Sequence, residues 1–201
     1  MFGGSIVALV TPMQVSGELD LESFRQLIEW HIASGTQSIV VNGTTGESAT
    51  LTPAERIELL TVAVKTANGR LPIIAGTGTS STAATIQETR AAASCGVDAC
   101  LVVTPYYNRP TQQGLYEHYK AVAESTELPV ITYNVPRRTG CDLLPETMAN
   151  LVLIKNIIGI KEATGDLMRV AALKALVGDR FIFFLASCIP YLYADSLAIT
   201  D

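Results

Sequence analysis

Short apolar runs recur along the chain at residues 5–10, 38–41, 72–75, 99–104, 129–133, 157–161 and 181–186. They lie about 30 residues apart, the size of a strand plus its crossover helix. The runs are continuous rather than alternating, which predicts parallel strands covered on both faces. Between them the pattern changes to helical spacing. Leu21, Phe24, Leu27, Ile28, His31 and Ile32 fall on one stripe, with Asp20 as candidate N-cap and Gly35 as terminator. Thr52-Pro53-Ala54-Glu55 reads as a capping box with proline in the first helical position. Further helices are expected over 82–94, 111–125, 145–152 and 166–177.

The order is thus a βα unit repeated seven times, which admits an open doubly wound sheet or a closed (β/α) barrel. An open dinucleotide-binding sheet would want G-x-G-x-x-G after its first strand. Here that strand leads into Thr11-Pro12, and the loop Gly76-Thr77-Gly78-Thr79-Ser80-Ser81 lacks the third glycine. The loop reads as a turn rather than a phosphate cradle, and the pattern favours a barrel, whose chemistry sits at the carboxyl ends of its strands.

Composition narrows the function classes. Of 201 residues, 48% are hydrophobic and 16% charged, as expected of a globular chain with a sizeable core. A formal net charge of -5 argues against nucleic acid as a partner. Cys95, Cys100, Cys141 and Cys188 have no C-x-x-C spacing and are expected to be reduced. His31 and His118 are far apart and neither has a second ligand at helical spacing, so no metal site is indicated. No basic segment precedes an apolar stretch at the amino end, and the uncharged run 181–194 is broken by Pro190. Neither a secretory signal nor a membrane span is expected, and the chain reads as cytoplasmic.

The strand ends hold the candidate chemistry. Ile157-Ile158-Gly159-Ile160-Lys161-Glu162 delivers a single lysine at the end of an apolar strand. A buried amine there could be neutral near pH 7 and condense with a ketone; alternatively it pairs with Glu162 or snorkels to water. Strand two ends in Gly43-Thr44-Thr45-Gly46-Glu47-Ser48, which can offer amides and hydroxyls to a small carboxylate, or can simply be a turn capped by its own hydroxyls. Strand four ends in Thr104-Pro105-Tyr106-Tyr107-Asn108-Arg109-Pro110, where the paired tyrosines suit an interface as well as chemistry. Strand five ends in Tyr133-Asn134-Val135-Pro136-Arg137-Arg138-Thr139-Gly140, placing a phenol at the rim and a guanidinium nearby.

Together, and in this order, Gly-Thr-Thr-Gly-Glu-Ser, Tyr-Tyr-Asn-Arg-Pro, Tyr-Asn-Val-Pro with Arg-Thr-Gly, and Gly-Ile-Lys-Glu-Ala-Thr-Gly at 159–165 resemble the motifs of the dihydrodipicolinate synthases, pyruvate-dependent class I aldolases built as TIM (β/α)8 barrels. The resemblance implies that Lys161 forms a Schiff base with pyruvate, that Tyr133 relays protons, and that Thr44 links Tyr133 to Tyr107. It implies that Thr45 and its loop amides bind the pyruvate carboxylate, and that Arg138 holds the carboxylate of L-aspartate 4-semialdehyde. It further implies a homo-oligomer, a dimer of dimers in which Tyr107 crosses to its neighbour, with no metal or organic cofactor. The product would be a heterocyclic lysine precursor.

The resemblance runs to about Phe184, giving a barrel domain over 1–184 and a divergent tail over 185–201. Leu185-Ala186-Ser187-Cys188-Ile189-Pro190 stands where the family has a Gly-Asp-Asp turn, an eighth βα unit and a helical region. The expectation is therefore an incomplete barrel of about seven units, from a truncated or frameshifted reading frame. Two other readings follow: a sibling lyase acting on sialic acid or a keto-deoxy sugar acid, and an inactive barrel fragment. Ser48, Ala49 and Tyr106 fit the family's lysine effector site, whereas Pro53, Arg56, Ser80 and Ala84 depart from it, so feedback by lysine does not carry over.

Overall fold

In the computed structural model, residues 2–178 and 181–185 are described. Seven strands form one parallel sheet in sequence order: β1 Ile6–Ala8, β2 Ser38–Val41, β3 Ile73–Gly76, β4 Ala99–Val103, β5 Val130–Asn134, β6 Ile157–Glu162 and β7 Ile182–Leu185. Each strand pairs in parallel with its neighbours in the chain. The helices are α1 Leu21–Ala33, α2 Pro53–Ala67, α3 Thr82–Ser94, α4 Gln112–Glu124, α5 Pro136–Thr139, α6 Pro145–Leu151 and α7 Leu167–Val177. The result is a curled, open barrel of parallel strands with helices around its outside.

The two faces of the sheet bury different clusters. Outward positions such as Ile39, Val41, Ile73, Val102 and Ile160 join the helices in the larger core. Inward positions such as Val40, Ile74, Leu101, Ile131 and Tyr133 form a second cluster, joined by Ile6 of β1 at one end and Phe184 of β7 at the other. Every strand therefore has apolar neighbours on both sides, which explains the continuous apolar runs in the sequence.

The helix boundaries follow their local signals. Asp20 accepts from the Ser23 amide at 3.0 Å, and Gly35 follows the end of α1 with φ +78°. Thr52 and Glu55 form the reciprocal capping box, in which Thr52 N donates to Glu55 Oε2 at 2.7 Å and Glu55 N donates to Thr52 Oγ1 at 3.3 Å. The loop over 76–81 is glycine-rich because backbones converge on it. A Cβ on Gly76 would lie 2.1 Å from Asn42 O, and one on Gly78 would lie 2.4 Å from Val103 N.

Several details differ from the sequence-based expectation; β5, for one, runs Val130–Asn134 rather than over 129–133. β1 is confined to Ile6–Ala8, because the chain turns toward β2 from Leu9 onward, where the Leu9 amide bonds Val40 O and the Thr11 hydroxyl bonds Gly46 O. β3 begins at Ile73 and includes Gly76. α5 was not expected, since four residues are too short to show periodicity; Pro136 starts it and Gly140, at φ +69°, ends it. A register shift between Val130 and Ile131 sets Ile157 and Gly159 opposite consecutive β5 residues, so β6 carries a bulge. Gly159 serves the other edge too, because a Cβ there would approach Ile182 O to 2.7 Å. Of the tail expected over 185–201, Leu185 belongs to β7, and residues 186–201, with Cys188 and the last residue of the seventh apolar run, lie outside the described residues.

Candidate active site

Four strand ends converge on one end of the barrel. β6 is in register with β5 so that Tyr133 lies beside Lys161 and Asn134 beside Glu162. Side chains alternate along a strand, so the first pair points inward and the second outward. The Lys161 Nζ stands 4.5 Å from the centroid of the Tyr133 ring. Burial lowers the amine's pKa from the ordinary lysine value, because removing water penalises the ammonium form. Glu162 faces the other way and takes its hydrogen bonds from Asn134 and the Thr164 amide, so it is not the salt-bridge partner considered for Lys161. The amine lies over the Tyr133 ring while the residue as a whole stays partly exposed, so some contact with water remains.

Tyr133 is 7% exposed. Burial pushes its phenol pKa up, while the Thr44 side chain and the charge of Arg138 pull it partly back. Thr44 and Arg138 thus reach the same phenol from the loops after β2 and β5. Arg138 itself is exposed on α5, as are Thr44 and Thr45 on the rim turn. That turn is held by Glu47 N to Thr44 O at 3.1 Å, by Ser48 N to Gly43 O at 3.4 Å, and by the Thr11 hydroxyl on Gly46 O at 2.7 Å. Its hydroxyl side chains therefore stand on a fixed backbone and face the open end.

Tyr107 is placed differently. Its side chain is 94% exposed, so it does not pack against Tyr133 within this chain. The backbone that carries it is specific: Tyr107 has φ +75° and Arg109 φ +47°, both sparsely populated for non-glycine residues. The Tyr107 amide donates to Thr139 O at 3.2 Å, and Asn108 Nδ2 donates to Ser80 O at 3.0 Å. The loop is pinned on both sides of a ring that projects outward.

Behind the inward pair lies a polar network that the motif reading did not single out. Asn134 is fully buried; its Nδ2 donates to Glu162 Oε2 at 3.1 Å and to Asp142 Oδ1 at 2.9 Å, and its Oδ1 accepts from the Leu143 amide at 3.0 Å. Arg169 on α7 closes the network with two bonds to Asp142, at 3.2 and 2.7 Å. The signal available in the sequence was alternation: Asn134 and Glu162 each follow an inward residue by one position.

The remaining candidate groups are thiols and imidazoles, of which Cys141 lies in the loop after α5. Cys95, Cys100 and Cys141 are free thiols, and burial pushes the Cys100 thiol up to about 12, where it is unreactive. His31 pairs with Thr36, and His118 pairs with Thr82. Among the described residues no three His, Cys, Asp or Glu side chains cluster as metal ligands, and no helix is long and apolar enough to cross a membrane.

Residues 1–187 match the dihydrodipicolinate synthetase family. A protein named 4-hydroxy-tetrahydrodipicolinate synthase from Shigella dysenteriae is 57% identical over 182 residues, which make up 90% of this chain and 62% of that protein. The crystal structure of dihydrodipicolinate synthase from Acinetobacter baumannii, complexed with pyruvate, superposes with a TM-score of 0.90 at 52% identity, over 91% of this chain and 63% of its own. That of the Bacillus anthracis synthase gives a TM-score of 0.95 at 41% identity, over 98% and 68%. The chain spans about 62% of the length of the curated relatives it matches.

Proposed function

The chain belongs to the dihydrodipicolinate synthetase family, and from that membership we propose that it carries the chemistry of a Schiff-base synthase condensing pyruvate with L-aspartate 4-semialdehyde. The observation that carries the reading is the desolvated Lys161 amine 4.5 Å from the Tyr133 ring centroid. A neutral amine attacks the pyruvate C2 carbonyl, and loss of water leaves an imine. Loss of a C3 proton converts the imine to an enamine, whose carbon attacks the semialdehyde carbonyl and forms the new carbon–carbon bond. The substrate's own amine then attacks the imine carbon and displaces Lys161, closing the heterocycle and returning the free lysine.

Tyr133 is suited to move protons in these steps because its ring lies beside the amine and its phenol, raised by burial and partly offset by Thr44 and Arg138, stays protonated and able to donate. Thr45 and its turn would take the pyruvate carboxylate, the ligand named for the Acinetobacter relative. Arg138 would take the carboxylate of the second substrate with its planar guanidinium. Tyr107 would complete the relay through Thr44 in the site of a second copy, consistent with a 94% exposed ring on a pinned loop. The assembly would be a dimer of dimers in the cytoplasm, where free thiols such as Cys100 persist.

The test is a condensation assay with pyruvate and L-aspartate 4-semialdehyde, run beside cleavage assays with sialic acid and keto-deoxy sugar acids. Turnover of the semialdehyde and not of the sugar acids is expected. Turnover of a sugar acid alone would replace the synthase reading with that of a sibling lyase.

A further inference from the structure

Lys161 and Tyr133 project from neighbouring strands, so their separation depends on what holds the ends of β5 and β6 together. Backbone pairing does only part of this, because the ladder is irregular at the bulge near Ile131. The next residue on each strand supplies a second tie on the outer face. Asn134 Nδ2 donates to both oxygens of Glu162, at 3.4 and 3.1 Å, and the Thr164 amide donates to Glu162 Oε1 at 2.8 Å. The same amide group reaches Asp142 at 2.9 Å, Asp142 is gripped by Arg169 of α7, and Asn134 Oδ1 takes the Leu143 amide at 3.0 Å. Asn134 and Glu162 are 0% and 3% exposed, so the bonds between these two side chains have little competition from bulk water.

We propose that Asn134 and Glu162 are positioning residues: their outer-face clamp joins β5, β6 and α7 and fixes the Lys161 amine against the Tyr133 ring. Neither side chain touches the inner face. If the clamp is opened, the two strand ends separate and more water reaches the partly buried amine. The ammonium form is then favoured, and the neutral fraction at a given pH falls. The sign separates this role from a direct field effect. Replacing Glu162 by the neutral isostere Gln removes a negative charge, which by Coulomb's law alone would favour the neutral amine. Opening the clamp has the opposite effect. Gln also replaces one accepting oxygen by an NH2 donor, so either the Asn134 amide or the Thr164 N–H then faces another donor and one tie of the clamp is lost. The inference rests on the proposed function only for its catalytic consequence.

The test uses the full chain and reads Lys161 directly, by the pH dependence of its reductive methylation with formaldehyde, resolved by peptide mass spectrometry. Glu162→Gln and Asn134→Ala are compared with the parent and with Leu59→Ala, a buried α2 substitution remote from the site. Both clamp variants should move the Lys161 inflection to higher pH and slow methylation at pH 7 by about tenfold, the step that one pH unit represents. Leu59→Ala should leave the inflection in place at a similar loss of thermal stability. Should Asn134→Ala not fold, Glu162→Gln decides alone. An inflection that is unmoved or lowered in Glu162→Gln overturns the proposal, as does an equal rise in Leu59→Ala. Pyruvate adduct formation, measured in parallel, separates the two claims. A moved inflection without adduct in any form keeps the clamp and rejects the synthase reading, whereas an adduct in all forms with unmoved inflections does the reverse.

Discussion

Lys161 and Glu162 are consecutive in the chain and face opposite sides of β6, the amine toward the Tyr133 ring and the carboxylate toward Asn134. Alternation along a strand thereby separates a base from an acid that might otherwise have neutralised it. The amine keeps its desolvation without an ion pair, the condition under which a lysine is a nucleophile near neutral pH. The ring beneath it works weakly the other way, since a cation over an aromatic face gains about 0.5–2 kcal/mol. Burial alone lowers the amine's pKa from the ordinary lysine value.

Tyr133→Phe keeps the ring and removes only the phenol. Pyruvate should therefore still form an adduct on Lys161, while turnover falls by about 100-fold or more, the usual worth of a positioned acid–base group. Single-turnover trapping beside steady-state assays measures the two steps. Equal losses in both would assign the phenol to the first condensation rather than to the later proton transfers.

Lys161→Met should raise thermal stability while abolishing the adduct. The folded-state pKa of Lys161 lies below its unfolded value, so the unfolded chain binds more protons between the two and stability rises with pH across that window. Below it the burial penalty is fully present, and replacing the amine with an apolar chain of similar length removes that penalty. Calorimetry at pH 7 should show a higher Tm for the variant, with the difference shrinking as pH rises through the lysine range.

His118 should set part of the acid limb of stability. It is 4% exposed, its Nδ1 lies 2.9 Å from the Thr82 hydroxyl, its Nε2 has no partner, and burial lowers its pKa to about 4. The unfolded chain takes up this proton near pH 6.5, so stability present at pH 7 is lost as pH falls from about 6.5 to about 4, by roughly 3 kcal/mol. His118→Leu should flatten that limb in urea titrations. An unchanged limb would assign the acid sensitivity to other groups.

Arg138 should govern the second substrate. Its exposure in this chain sets a moderate effect: Arg138→Ala is expected to raise the KM for the semialdehyde by about tenfold, corresponding to about 1.4 kcal/mol. The adduct with pyruvate should form at nearly the parent rate. Loss of the adduct with unchanged semialdehyde KM would exchange the roles of Arg138 and Thr45.

Much of this arrangement was legible in the sequence because it depends on local patterns. Continuous apolar runs gave the strands, and Asp20 and the Thr52–Glu55 box gave helix starts that the structure reproduces. Lys161 and Tyr133 could be named as candidates from their places at strand ends, but their proximity could not, because it depends on the register of β5 with β6 and on the bulge near Ile131. For the same reason the clamp escaped notice: Asn134, Asp142, Glu162 and Arg169 span 35 positions and meet only through tertiary packing. The outward stance of Tyr107 depends on two left-handed backbone conformations that no periodicity announces.

Lys161 is expected to be the amine that takes pyruvate. The direct measurement is borohydride reduction in the presence of pyruvate, followed by peptide mapping of the folded protein. One reduced pyruvyl adduct is expected, on Lys161, absent without pyruvate and absent from Lys161→Met. Folded protein that yields no adduct, or an adduct mapped to another lysine, would contradict it.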